Sequence, residues 1–381
     1  MLVLVTGGAG FIGSFVVDRL LAAGHGVRVL DAFDPQVHPD GPPSHLAREA
    51  ELLVGDVRDR AMVRAAVDGA DAVVHAAAAV GVGQSLYEVE RYVDVNVRGT
   101  AMVLDCLQER KRPVGKFLAF TSMTGYGEGL YRRPSDGRLL RIAIRRDEDI
   151  ARHGWEPVCP ETGEPLEPAP TPEDAALLAR NVYALTKRWQ EELALALGEV
   201  YGFPVVCLRL FNVYGPRQSL SNPYTGVLAI FLSRLLAGER PVVYEDGGQS
   251  RDFVSVHDVA DTAVRLLATG EADGRVVNLG SGVARRIGDV ARTLAALTGR
   301  DDLQPRVTGQ FRRGDVRHCT ADVRRARETI GFAPRVSWED GLRELLEWCR
   351  SAATADHFAR AQRELERRGL LSGAIAPDGE R

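Results

Sequence analysis

Three features of the chain predict an α/β fold with a doubly wound parallel (Rossmann) sheet and a smaller C-terminal α/β substrate-binding part. Apolar, β-branched runs alternate with stretches of helical spacing. The chain opens on a strand, a glycine-rich turn and a helix. Polar residues stand at the carboxyl ends of the apolar runs, where open parallel sheets bind their ligands.

The opening unit spans residues 2 to 24. Leu2 to Val5 leads into Gly7, Gly10 and Gly13, and helical spacing follows at Phe15, Val16, Leu20 and Leu21. Glycines here permit a tight turn, let backbone N–H groups approach a pyrophosphate, and let the helix pack close on the strand. The phosphate then lies on the positive end of the helix dipole. A second run, Val27 to Leu30, ends in Asp31, spaced to hold adenosine ribose hydroxyls. No arginine follows in Asp31-Ala32-Phe33-Asp34 to meet a 2′-phosphate, so NAD is expected rather than NADP. Residues 32 to 49, rich in Pro and His, read as a connector, because His38 and His45 lack acid or thiol neighbours for a metal.

Glu51 to Val54 is the third strand, closing in Gly55-Asp56-Val57. Asp56 either reaches the adenine amine or caps a helix from about Arg58 to Val67, and one residue can do both. The fourth strand, Asp71 to His75, runs into Ala76-Ala77-Ala78, whose small side chains leave room for a flat cofactor or its ribose. His75 has no carboxylate to orient it and reads as structural. Residues 86 to 111 read as one long helix, in which Asn96 is either a solvated group or a clamp between loops. The fifth strand, Phe117 to Thr121, delivers Ser122, followed by Met123-Thr124-Gly125-Tyr126-Gly127. Tyr183 and Lys187 lie four apart in a helix from about Asn181 to Tyr201, so they share a face. A tyrosine with its pKa near 10 is a poor base at neutral pH. A neighbouring ammonium, with a positive nicotinamide close by, favours the phenolate.

Composition narrows the partners. The chain has 381 residues, 45% of them hydrophobic, and a net charge of −4, so no basic field draws nucleic acid or an anionic membrane. No apolar run reaches membrane-spanning length. Five scattered cysteines without a CxxC pair suit reduced thiols in the cytoplasm and offer no metal site. The expected division is 1–203 for the dinucleotide, with an insert at about 128–180, then 204–350 mainly for substrate. A peripheral helix and frayed tail occupy 351–381.

Taken together, TGGAGFIG from Thr6, His75-Ala76-Ala77-Ala78, Ser122 before Tyr126-Gly127, Tyr183 with Lys187, Arg209 to Pro216 (RLFNVYGP) and Arg251 to Val254 (RDFV) are similar to the extended short-chain dehydrogenase/reductases that act on sugar nucleotides. The likeness runs from residue 2 to about 350. Within that group, Trp155 to Pro160, Asn222-Pro223-Tyr224 and Phe311 to Cys319 most resemble the bacterial dTDP-L-rhamnose 4-epimerases. The resemblance implies that Gly7, Gly10, Phe11, Ile12, Gly13, Asp31, Asp56, Val57, Ala76, Ala77 and Asn96 contact NAD. It implies that Tyr183 and Lys187 flank the nicotinamide ribose, and that Ser122 bonds the reacting sugar oxygen. Asn212, Arg251 and Arg312 match positions that grip the diphosphate, and a homodimer through the helices carrying Asn96 and Tyr183 is expected.

Two departures carry weight. Relatives often continue the Trp-Glu-Pro segment as CPxCG, whereas here Cys159-Pro160-Glu161-Thr162-Gly163 lacks the second thiol, so no metal is expected. The insert's six arginines, 132, 133, 138, 141, 145 and 146, read as solvated on a segment that caps the site or shapes subunit contacts. Sugar-nucleotide dehydratases follow the active-site Ser or Thr with Asp-Glu, but Met123 and Thr124 cannot move protons, which favours 4-epimerisation over water elimination. A UDP-hexose or UDP-uronate epimerase, a 4-keto-sugar reductase and a non-catalytic dinucleotide-binding protein are the alternatives.

Overall fold

The computed structural model describes residues 1–220, 226–351 and 358–372. The first half alternates as its periodicity demands: β1 (Leu2–Thr6), α1 (Phe11–Ala22), β2 (Gly26–Asp31), β3 (Glu51–Val54), α2 (Arg60–Val67) and β4 (Ala72–His75). Then come α3 (Val82–Ser85), α4 (Val89–Tyr92), a π-turn (Val93–Arg98), α5 (Gly99–Gln108) and β5 (Lys116–Ser122). The insert holds β6 (Leu130–Arg132), β7 (Leu139–Arg141), α6 (Asp147–His153) and β8 (Glu167–Ala169), and precedes α7 (Val182–Tyr201). Beyond it lie β9 (Val205–Leu210), β10 (Asn212–Tyr214), α8 (Val227–Leu236), β11 (Val242–Val243), β12 (Ser250–Ser255), α9 (Val256–Ala268), β13 (Arg275–Leu279) and β14 (Ala284–Arg286). The chain finishes with α10 (Ile287–Leu297), β15 (Arg306–Val307), β16 (Phe311–Arg312), β17 (His318–Cys319), α11 (Arg324–Ile330), α12 (Trp338–Ser351), α13 (Phe358–Arg367) and β18 (Leu371–Ser372).

Among the described residues, seven parallel strands form the main sheet in the order β13-β9-β5-β4-β1-β2-β3. Such a sheet is buried on both faces, which is why its strands are apolar runs rather than alternating ones. On one face Phe15, Val16 and Leu20 of α1 pack with Val259, Ala263 and Leu266 of α9. On the other, Val63 and Val67 of α2 join Val103, Leu104 and Leu107 of α5. Each such side chain contributes roughly 1.5–3 kcal/mol on burial. β9 and β13 lie beyond residue 203, so the sheet is not confined to 1–203. A third core around Phe231, Val243, Leu294 and Leu345 sits under the C-terminal part. No helix among the described residues is long and apolar enough to cross a membrane.

Four expectations are corrected. Asp59, not Asp56, caps α2, accepting from the backbone N–H of Ala61 and Met62. The expected helix at 86–111 is interrupted by the π-turn at Val93–Arg98, whose extra residue aims Asn96 inward. The insert's arginines are not merely solvated: Arg145 pairs with Glu128 and Glu245, Arg133 with Asp136 and Glu161, and Arg141 donates to the carbonyls of Tyr126, Glu128 and Ala176. The C-terminal segment is not a peripheral helix ending in a frayed tail at all its described positions, because β18 returns to pair antiparallel with β16.

His75 sits inside the sheet with Nδ1 2.8 Å from Thr6 Oγ1 and Nε2 2.9 Å from Thr100 Oγ1. Burial, reinforced by nearby Lys187, pulls its pKa down to about 3, so the ring is neutral in the fold. Unfolding lets it take up a proton below about 6.5. Its contribution to stability therefore disappears as pH falls from about 6.5 towards 3, at roughly 1.4 kcal/mol per pH unit. Urea titrations at pH 7 and pH 4.5 are expected to show this loss, and His75→Gln is expected to flatten the slope.

Candidate active site

A cleft of about 580 Å³ runs along the carboxyl ends of β1, β2, β4, β5 and β9. Gly7, Gly10, Phe11, Ile12 and Gly13 form one end, where the backbone of the first turn meets the start of α1. The glycines are required by close approach. A Cβ on Gly7, which has φ +68°, would lie 2.7 Å from the Ala77 nitrogen, and one on Gly13 would lie 2.1 Å from the Gly7 carbonyl oxygen. Asp31 lines the next stretch, with one carboxylate oxygen accepting from Ala9 N–H at 3.0 Å and the other from Phe33 N–H at 2.9 Å. Each oxygen keeps a lone pair for a ligand hydroxyl.

Asp56, Val57, Ala76 and Ala77 line the same wall. Sequence reasoning missed Arg58 and Arg91, which also reach the cleft. Arg58 bonds Asp56 and Asp94, and Arg91 bonds Asp34 and Glu88, so both guanidiniums are committed to carboxylates. Neither arginine stands next to Asp31 in sequence, so only the fold brings them there.

Asn96 is fully buried and does not line the cleft. Its amide accepts from Ala79 N–H at 2.7 Å and donates to the Ala79 carbonyl and Thr186 Oγ1, both at 3.0 Å. It is thus a clamp between the loop after β4 and α7.

At the other end, Ser122 closes β5, and Tyr183 and Lys187 face it from the first turns of α7, whose N-cap is Asn181. Burial pushes the Tyr183 phenol up to about 12, against a smaller downward pull from the Ser122 side chain. Lys187 Nζ donates to the Phe120 carbonyl at 2.9 Å, and burial lowers its pKa to about 7. Without a bound nicotinamide, burial dominates at both groups, raising Tyr183 and lowering Lys187. Thr124 donates to Ser122 Oγ at 2.9 Å, and Met123 is buried behind it.

Asn212 lines the cleft at the start of β10, with its amide oxygen buried and without a hydrogen-bond partner among the described residues. Arg251 and Arg312 do not line this cleft. They converge on one carboxylate, each 3.0 Å from Asp315, and Arg312 also lies over the Tyr244 ring at 5.2 Å. Trp155 packs edge-on against Phe311, while Glu156 bonds Arg317 and His318. The segments around Trp155 and Phe311 are thereby brought together; Asn222-Pro223-Tyr224 lies outside the described residues. Cys159 stands 3.7 Å from Arg133 Nη1, with Thr162 where a second thiol would fall.

Comparison with known proteins gives a match to the NAD dependent epimerase/dehydratase family over residues 3–146 and 159–280. The chain belongs to that family. It is 39% identical to a dTDP-L-rhamnose 4-epimerase of Burkholderia thailandensis over 355 residues, covering 91% of this chain and 94% of that protein. A UDP-glucose 4-epimerase of Thermotoga maritima, solved with UDP-glucose, superposes with TM-score 0.76 at 30% identity over 92% of this chain and 99% of that one. A dTDP-glucose 4,6-dehydratase of Streptomyces venezuelae, solved with NAD, gives TM-score 0.75 at 26% identity over 92% and 97%. NAD is the cofactor of this epimerase-family enzyme, and the glycine approach, Asp31 and the alanine wall fit a dinucleotide.

The helix that carries Tyr183 and Lys187 is held by a buried pair: Arg209 of β9 bonds Glu191 of α7 at 2.8 and 2.5 Å. Leaving either charge unpaired there costs on the order of 3–5 kcal/mol. Arg209→Met is expected to lower the denaturation midpoint accordingly, and the double variant Arg209→Met/Glu191→Leu is expected to recover most of it; chemical denaturation of the three proteins measures both.

Proposed function

We propose that this NAD-dependent sugar-nucleotide epimerase inverts C4 of a dTDP-linked 6-deoxyhexose such as dTDP-L-rhamnose. The observation that carries the reading is the convergence of Ser122, Tyr183 and Lys187 on one cleft at the end of β5, where Ser122 is followed by two positions, Met123 and Thr124, that offer no carboxylate. Similarity to the Burkholderia enzyme supports the choice of sugar.

NAD, held along the glycine turn and Asp31, would supply a reversible hydride acceptor for C4 and, in its oxidised form, positive charge. Tyr183 takes the C4 hydroxyl proton and later gives it back, which requires its phenol to fall from about 12. Ser122 holds the same sugar oxygen. Lys187, fixed on the Phe120 carbonyl, binds ribose hydroxyls and adds to the positive potential when protonated. The glycine turn, Asp31 and the Ala76-Ala77 wall hold the dinucleotide. Asn212, Arg251 and Arg312 bind the diphosphate side of the substrate, tethering the 4-keto sugar while it turns. Guanidinium forks suit phosphate oxygens.

A second copy of the chain covers the apolar stripe of Val89, Val93, Leu185 and Trp189, which are 48%, 44%, 40% and 54% exposed. The enzyme acts as a homodimer in the cytoplasm.

Purified enzyme given dTDP-L-rhamnose without added cofactor is expected to yield its C4 epimer, read from the ring protons by NMR, with Tyr183→Phe slower by about 10²–10⁴-fold. Conversion of UDP-hexoses alone would overturn the nucleotide assignment, and strict dependence on added NADPH would mark a reductase. Trp189→Glu is expected to shift the sedimentation coefficient from dimer to monomer.

A further inference from the structure

β16 is two residues long, yet it carries Arg312. Among the described residues its strand partner is β18, with Phe311 opposite Ser372 and Arg312 opposite Leu371. The Arg313 N–H also donates to the Leu370 carbonyl at 3.3 Å. So short a strand cannot hold its own position, and what touches it decides where Arg312 points. The insert supplies one side, through Arg313 with Asp147 at 2.8 Å and Phe311 against Trp155. The C-terminal segment supplies the other.

That segment is built to be held. Leu365 of α13 is 5% exposed. Gly369, with φ +66°, turns the chain from helix into strand, a conformation that favours glycine. Between them the Arg368 guanidinium lies 4.2 Å from the centroid of the Tyr87 ring, just beyond α3 in the dinucleotide half. Three residues earlier, Gln84 donates to Gln36, which lines the cleft. Residues 358–372 thus touch the strand of Arg312 at one end and Tyr87 of the dinucleotide half at the other.

We infer that residues 358–372 form a strap belonging to the nucleotide-sugar site, which sets Arg312 in position by pairing with β16 and stacking on Tyr87. The inference rests on the assignment of Arg312 to the diphosphate. Arg368 and Gly369 are positioning residues in this scheme, acting through β16 and not on the substrate.

The test uses the full-length enzyme with bound NAD and measures dTDP and UDP affinity by calorimetry, alongside KM and kcat. Arg368→Ala, Tyr87→Ala and Gly369→Val are expected to bind both nucleotides about three- to tenfold more weakly. KM should rise by a similar factor, with kcat and NAD content unchanged. Arg368→Lys should restore part of the affinity, because an ammonium can still stack on the ring, and the double variant Arg368→Ala/Tyr87→Ala should be no worse than either single one. Arg367→Ala, which removes only a pairing with Glu364 inside α13, is expected to behave as the unaltered enzyme. Unchanged nucleotide affinity in Arg368→Ala and Gly369→Val would overturn the strap and leave the epimerase reading standing. Failure of the unaltered enzyme to bind either nucleotide while holding NAD would overturn both.

Discussion

The buried fork between Arg209 and Glu191 is the contact on which the site's geometry depends. It joins β9 to α7 in the middle of the molecule, and its neighbours draw in three more elements. Arg209 also donates to the Tyr126 hydroxyl and the Glu173 carbonyl, each at 2.8 Å, and Thr121 donates to Glu191 at 3.1 Å. Glu191 stands one helical turn after Lys187 and two after Tyr183, so fixing it sets the rotation and height of both on the sheet. Thr121 directly precedes Ser122. One charge pair therefore aligns Tyr183, Lys187 and Ser122 across two elements, α7 and β5. Apolar residues could pack there at similar stability, but they would not select one rotation of α7.

The same burial that fixes these groups works against their chemistry. Desolvation raises Tyr183 and lowers Lys187, so the fold holds both in the uncharged direction. A positive charge brought by a ligand into so low a dielectric would act strongly on a buried phenol. Such a site is costly to keep and cannot be made more comfortable without dulling it.

The insert and the C-terminal segment both dock against the strand region around Arg312. Arg145 and Arg317 share Glu245, at 2.9 and 2.7 Å, and Glu128 accepts from the backbone of Arg317. These buried contacts dock the insert against the strand region that bears Arg312. Within the insert, Arg133-Pro-Ser-Asp-Gly137 and Cys159-Pro-Glu-Thr-Gly163 form two turns with the same bonding, each glycine N–H donating at 2.8 Å to the carbonyl four residues back. Arg133 and Cys159, at the head of each, then meet. Hydrogen bonds and ion pairs among Arg133, Asp136, Glu161 and Cys159 close this small fold.

Local signals carried far in this chain. The strand, glycine turn and helix at residues 2–24, the acid ending β2, the serine ending β5 and the i, i+4 pair on α7 are each written within a few residues, because strand period, turn strain and helix period are short-range properties. Their convergence on one cleft follows from strand order in a parallel sheet. Contacts between residues far apart were not legible. Asp59 rather than Asp56 caps α2, Asn96 turns inward at a π-turn, Arg145, expected in solvent, finds buried Glu245 a hundred residues away, and the last strand returns to Arg312. Each of these was settled by which partner removed a charge or an N–H from water at least cost, a choice that exists only once the whole chain has closed around it.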